Sequence, residues 1–131
     1  MAAMQNQMNE YERNRILTAS PAELTLLLYE GAIKFLNRSI MAFEKEDVKA
    51  AKEWNVRAER IIIELQSTLD MKYPIAKEMD RVYQYMIGRM IDANIQNSKE
   101  PLEEVIVHVR SMRDTWKEVM KITKNGTCIK V

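Results

Sequence analysis

Residues 20–44 read SPAELTLLLYEGAIKFLNRSIMAFE, and this stretch decides the fold. It opens on Ser20-Pro21-Ala22-Glu23, a capping box with proline at the first helical position. The Ser20 hydroxyl can accept from the Glu23 amide, and the Glu23 carboxylate can reach back to the Ser20 amide. A helix running to about Glu44 is expected. Its apolar residues fall on two lines: Leu24, Leu28, Gly31, Phe35 and Ala42 on one, and Leu26, Tyr29, Ile33, Leu36, Ile40 and Phe43 on the other. At about 100° per residue the lines lie well over 100° apart and together cover more than half the helix. Two readings stay open. The helix packs against two neighbours inside a bundle, or part of this surface receives a partner.

Three more helices follow from the punctuation. Asp47 can cap a second helix that runs to about Met71. Tyr73-Pro74 breaks it, because proline disfavours the α conformation in the residue before it. A third helix is expected from about Pro74 to Asn97. Asn97-Ser98-Lys99-Glu100-Pro101 then marks a turn and a new start, and the fourth helix runs to about Lys124, with Asn125-Gly126 as its stop. Ala51, Ala58, Ile62, Leu65 and Leu69 share a stripe in the second helix, with Asn55 the polar exception. Ile75, Met79, Val82, Met86 and Ala93 do so in the third, and Leu102, Val105, Val109, Met112, Trp116 and Val119 in the fourth. Short connections between such helices predict an all-α, antiparallel up-and-down four-helix bundle over residues 18–124. Residues 1–17 form an N-terminal extension, either a short extra helix or a loosely held arm, in which Met4, Met8, Tyr11 and Arg15 are helically spaced. Residues 125–131 form a C-terminal tail.

Composition excludes several functions. Lys plus Arg total 20 against 19 for Asp plus Glu, so the basic excess of a nucleic-acid binder is missing. No apolar run reaches the about 18 residues of a membrane span, and the polar N-terminus lacks a signal-peptide core, so a cytoplasmic protein without membrane insertion is expected. Cys128 has no partner in the chain. It reads as a tail residue, with a reactive or dimer-linking thiol as the alternative. His108 is the single histidine, and Glu104 lies four residues before it rather than in paired Glu-x-x-His units, so neither a metal site nor a histidine-based nucleophile is expected. No phosphate-cradling loop, dinucleotide fingerprint or other cofactor motif occurs.

Two features point toward binding. Met79, Met86, Met90, Met112 and Met120 lie on apolar helical faces, where they either fill the core or offer a surface for varied apolar side chains. In Tyr83-Gln84-Tyr85-Met86 only one tyrosine can face the core, which leaves the other as an exposed aromatic suited to anchor an interface. The residues alone leave a client-binding module and a self-pairing helical adaptor nearly level.

Three blocks carry a resemblance. Tyr11-Glu-Arg-Asn14 followed by Thr18-Ala-Ser-Pro-Ala-Glu-Leu-Thr-Leu-Leu-Leu-Tyr-Glu-Gly-Ala32 resembles the start of the flagellar secretion chaperones of flagellin. Tyr83-Gln-Tyr-Met-Ile-Gly-Arg-Met-Ile-Asp-Ala-Asn94 resembles their third-helix signature, and Asp114-Thr-Trp-Lys117 the end of their last helix. The blocks come in the family's order and cover about Tyr11 to Met120. The resemblance implies a four-helix bundle that catalyses nothing and needs no cofactor. Its implied client is the C-terminal segment of flagellin, wrapped around the chaperone, kept from polymerising in the cytosol and presented to the type III export apparatus. Other flagellar assembly or export factors are candidate further partners, an alternative the sequence leaves open. The free protein is expected as a monomer or weak homodimer. The N-terminal extension is expected to be either mobile or docked over part of the client groove when no client is present, a role that falls on the Tyr11 region. The client-binding residues are expected among Tyr11, Leu26, Tyr29, Ile33, Tyr83, Tyr85, Met86, Arg89, Met90, Ala93 and Asn94. The turn at Asn97-Ser98 departs from relatives that carry an acidic residue directly after the asparagine, a change expected to touch only the cap.

Overall fold

The computed structural model describes residues 10–124. Met4, Met8, the Asn125-Gly126 stop and Cys128 lie outside the described residues. The chain forms α1 (Glu10–Thr18), α2 (Pro21–Glu44), α3 (Val48–Ser67), α4 (Pro74–Gln96) and α5 (Glu100–Lys124), with no strand among the described residues. Helix α2 packs against α3 and α5, and α4 packs against the same two, closing a ring of four. Helices that pack together run antiparallel: Ser39 late in α2 meets Ala51 early in α3, and Gln66 late in α3 meets Asp80 early in α4. Lys99, ahead of α5, meets Glu44 at the end of α2 at 3.0 Å, and Trp116 near the end of α5 meets Ala22 at the start of α2. This is the expected up-and-down four-helix bundle, with α1 as its short N-terminal extension.

Local chemistry sets the helix ends. The Glu23 N–H donates to the Ser20 hydroxyl at 3.2 Å, as the capping box requires. The reciprocal bond differs from expectation: the Ser20 hydroxyl donates to Glu23 Oε1 at 3.0 Å, so the carboxylate engages the hydroxyl. Asp47 caps α3 by accepting from Ala50 N at 3.2 Å. Helix α3 stops at Ser67, short of Met71. The Ser67 and Thr68 hydroxyls bond back to the carbonyls of Glu64 and Leu65, each at 2.7 Å, and take over acceptors at the helix end. Asn97 ends α4 in the left-handed conformation, φ 52°, which lets the Ser98 N–H return to the Ala93 carbonyl at 3.1 Å. Glu46, in the α2–α3 turn, also has a positive φ of 61°.

The core follows the sequence stripes, with instructive departures. Ala51, Asn55, Ala58, Ile62 and Leu65 are buried on α3 as the spacing predicts. On α4 the register is shifted. Ala76, Tyr83, Met86, Met90 and Ala93 are buried, whereas Ile75 and Val82, expected inside, are 54% and 38% exposed. The smaller Ala76 lets α4 approach its neighbours, and Tyr83 has a buried partner for its hydroxyl. On α2 the buried set adds Ala32 and Ser39 to the anticipated residues. The Ser39 hydroxyl donates to the Ala51 carbonyl at 2.7 Å, tying α2 to α3. A Cβ on Gly31 would stand 3.2 Å from Ile61 Cδ1, so the glycine permits the close α2–α3 approach. Asn55 crosses to α4, where its Nδ2 donates to the Met90 carbonyl and to Asn94 Oδ1, both at 2.7 Å. Met86 and Met90 are core residues, and Met79, Met112 and Met120 are half-buried.

Candidate functional site

The helix ends converge on a cleft of about 700 Å³ at the end of the bundle where α2 and α4 begin and α3 and α5 finish. Its walls are apolar. Leu24, Leu27 and Leu28 come from the first turns of α2, Leu65 and Leu69 from the end of α3 and beyond, Met79 from α4 and Trp116 from α5. The Trp116 Nε1–H donates to the Ala22 carbonyl at 2.9 Å, so α5 is fastened to α2 at the mouth. Ile16 of α1 also lines the cleft while staying 47% exposed, and no residue of α1 is buried. The extension thus borders the cleft without being built into the core.

The floor carries one polar feature. Tyr29 of α2 and Tyr83 of α4 reach across the bundle and their hydroxyls bond at 2.8 Å. Burial raises the pKa of Tyr29, partly offset by its bond to Tyr83. Burial, reinforced by the neighbouring Tyr29 hydroxyl, drives Tyr83 far above the ordinary tyrosine value. Both side chains are therefore neutral at physiological pH. Glu64, Thr25 and Thr68 add a polar rim.

The sequence-predicted residues separate into distinct places. Tyr29 and Tyr83 meet in the cleft. Ile33, Met86, Met90 and Ala93 belong to the core cluster, and Leu26 is half-buried away from the cleft lining. Tyr11 sits on α1, 70% exposed. Tyr85 is 53% exposed on the α4–α5 face, where its hydroxyl donates to Glu104 and its ring meets His108 edge-on at 6.5 Å. Arg89 joins the same carboxylate at 3.2 Å and also holds Asp92 at 3.1 Å. The Tyr85 hydrogen bond, aided by the Arg89 charge, lowers the Glu104 pKa. Asn94 is engaged by Asn55. The pair Tyr83 and Tyr85 divides as read, one inside and one outside. Leu24, Leu28, Leu69, Met79 and Trp116, which wall the cleft, are not among the sequence-predicted residues. The available signal was Trp116 within Asp114-Thr-Trp-Lys117, a large aromatic at the end of its stripe. Among the described residues no group of three or more His, Cys, Asp or Glu could hold a metal ion, and no helix is long and apolar enough to cross a membrane. The arrangement offers apolar shape with a polar floor and rim, suited to holding a polypeptide segment.

Comparison with known proteins bears on the family and the fold. The chain matches the family described as Flagellar protein FliS over residues 4–123. It is 38% identical to the flagellar secretion chaperone FliS of Bacillus subtilis over 119 residues, covering 91% of this chain and 90% of that protein. Identity to FliS of Campylobacter jejuni is 32% over 120 residues, 88% of this chain and 94% of the relative. The crystal structure of a bacterial flagellar chaperone superposes with a TM-score of 0.72, covering 92% of this chain and 97% of that one. At 16% identity that likeness concerns the fold. The chain belongs to the FliS family of flagellar secretion chaperones, proteins that bind a flagellar export substrate and are not enzymes.

Proposed function

We propose that this chain is a flagellin chaperone. It binds the C-terminal segment of flagellin in the cytoplasm, keeps it from polymerising and presents it for type III export, where other flagellar assembly or export factors receive it. The observation that carries this reading is the apolar cleft at the bundle end, bordered by a helix that is not part of the core. A disordered client loses about 2–5 kcal/mol of interaction energy to ordering when it docks. At roughly 25 cal/mol per Å², about 80–200 Å² of newly buried apolar surface offsets that loss. Leu24 and Ile16, 39% and 47% exposed at the mouth, supply part of it. Helix α1 acts as a cover: Ile16 occupies the cleft edge in the free protein and yields to the client. Free of client, the chain is a monomer or weak homodimer.

The test is calorimetric titration with the C-terminal segment of flagellin from the same organism. One-to-one binding with a large negative heat-capacity change is expected. Leu24→Ser is expected to weaken it about tenfold, by loss of roughly 1.4 kcal/mol of apolar contact. No binding by a folded monomer overturns the function. Binding that Leu24→Ser leaves unchanged moves the client off the cleft. Amide exchange in α1 that is equally slow with and without client overturns the displacement of the cover.

A further inference from the structure

Trp54 lies on α3 with its indole against the Phe35 ring of α2, centroids 5.5 Å apart and planes inclined by 30°. Over the same indole sit two guanidiniums, Arg38 of α2 at 4.7 Å and Arg57 of α3 at 4.8 Å. The spacing explains the convergence. Phe35 and Arg38 are three apart on one helix, Trp54 and Arg57 three apart on the next, so each helix delivers one ring and one cation to a common spot. Phe35 packs against the core cluster and holds the indole in place. The Ser39–Ala51 bond pins the two helices together close by.

Among the described residues these cations have no ion-pair partner, and Lys34, one turn before Arg38, has none either. On the α4–α5 face, by contrast, Arg89 is engaged by both Asp92 and Glu104. Two like charges on one ring repel, and an exposed cation over an indole gains only about 0.5–1 kcal/mol. A guanidinium stacked on a ring keeps its edge N–H donors free, in the fork that matches a carboxylate. Trp54 lies ten residues before Glu64, the cleft residue on the same helix, so the cluster sits about 15 Å from the cleft.

We propose that the cluster of Arg38, Trp54 and Arg57 is a second docking site, separate from the cleft, for an acidic segment of a partner polypeptide. Aspartate or glutamate carboxylates of that segment bridge the two guanidiniums, and a neighbouring apolar side chain covers the indole. Charge complementarity selects the occupant. The chain's net charge is only +1, so long-range attraction is weak and recognition is local.

The test uses the full chain and a short dye-labelled peptide rich in glutamate with a central leucine, beside its glutamine counterpart, read by fluorescence anisotropy. The acidic peptide is expected to bind more tightly than the glutamine peptide and to weaken with added salt. Arg38→Gln combined with Arg57→Gln is expected to lower its affinity about tenfold, two exposed charge pairs at roughly 0.7 kcal/mol each. Trp54→Leu is expected to give a smaller loss. Lys77→Gln combined with Arg81→Gln, the same charge change on exposed residues of α4, is expected to leave affinity unchanged. Equal binding of the two peptides overturns the proposal, as does an equal loss in the α4 pair.

Discussion

Replacing Tyr83 by phenylalanine removes one hydroxyl and strands another. Tyr29 and Tyr83 are 2% and 1% exposed, and their hydroxyls, 2.8 Å apart, are each other's hydrogen-bond partner across the bundle. Leaving a buried hydroxyl unpaired costs about 1–3 kcal/mol, so Tyr83→Phe and Tyr29→Phe are each expected to lose about 2 kcal/mol. The double variant leaves two apolar rings and no stranded group, and is expected to lose about 1 kcal/mol or less. The singles then sum to about 4 kcal/mol, well beyond the double, and the difference is the coupling of the pair. Urea unfolding followed by circular dichroism reads this as a shift in midpoint at constant slope. In thermal scans each kcal/mol corresponds to about 4 °C for a chain of this size. Additive losses, or singles that cost under about 0.5 kcal/mol, would refute the reasoning. Such a result would mean that water reaches the cleft floor and satisfies either hydroxyl alone.

Four further outcomes are expected. Stability should fall as pH rises above about 10, because the unfolded chain releases tyrosine protons that the raised pKa values of Tyr29 and Tyr83 retain in the folded state; unfolding measured from pH 9 to 11 should show the slope flattened in the double phenylalanine variant. Asn55→Ala should cost about 2–4 kcal/mol through the lost bonds to Met90 and Asn94 and the space left behind, and Asn55→Asp at least as much, since a carboxylate would face two acceptor oxygens. Gly31→Ala should be near neutral in thermal unfolding, a helix-propensity gain of about 1 kcal/mol offset by the shift demanded of Ile61, whereas Gly31→Leu should destabilise by over about 2 kcal/mol. Glu46→Gly should stabilise by up to about 1 kcal/mol in the same assay, because its φ of 61° strains any side chain.

Periodicity located the helices more securely than their faces. On α3 a single stripe was available, so Ala51, Asn55, Ala58, Ile62 and Leu65 could be read directly. On α4 two overlapping stripes compete, and hydropathy favoured Ile75 and Val82 over Ala76 and Tyr83. The structure chose the small residue and the one whose hydroxyl had a buried partner, and both reasons involve another helix. Ser39 was missed on α2 for the same cause: its burial depends on the Ala51 carbonyl, a group no local pattern announces. Of the cleft, the Tyr29 and Tyr83 floor was legible, since both residues stood in recognisable motifs. Its walls were not, because Leu24, Leu69, Met79 and Trp116 become neighbours only when four helix ends meet.

The bond from Trp116 to the Ala22 carbonyl joins residues 94 positions apart. Synthesis proceeds from the N-terminus, so α2 emerges long before the helix that seals it. During that interval the flank of α2 that α5 covers is bare, and α2 has only its packing on α3 and the Tyr29–Tyr83 bond to α4. A contact of such long range forms late and slows folding, and a half-assembled helical sheath with a bare flank is prone to aggregate. The cleft therefore reports completion: α5 must be docked along its length before the Trp116 indole can latch onto the start of α2. A partly synthesised chain lacks that latch and presents an open furrow in its place. On the proposed reading of the cleft, competence to hold a client arrives as the last event of folding.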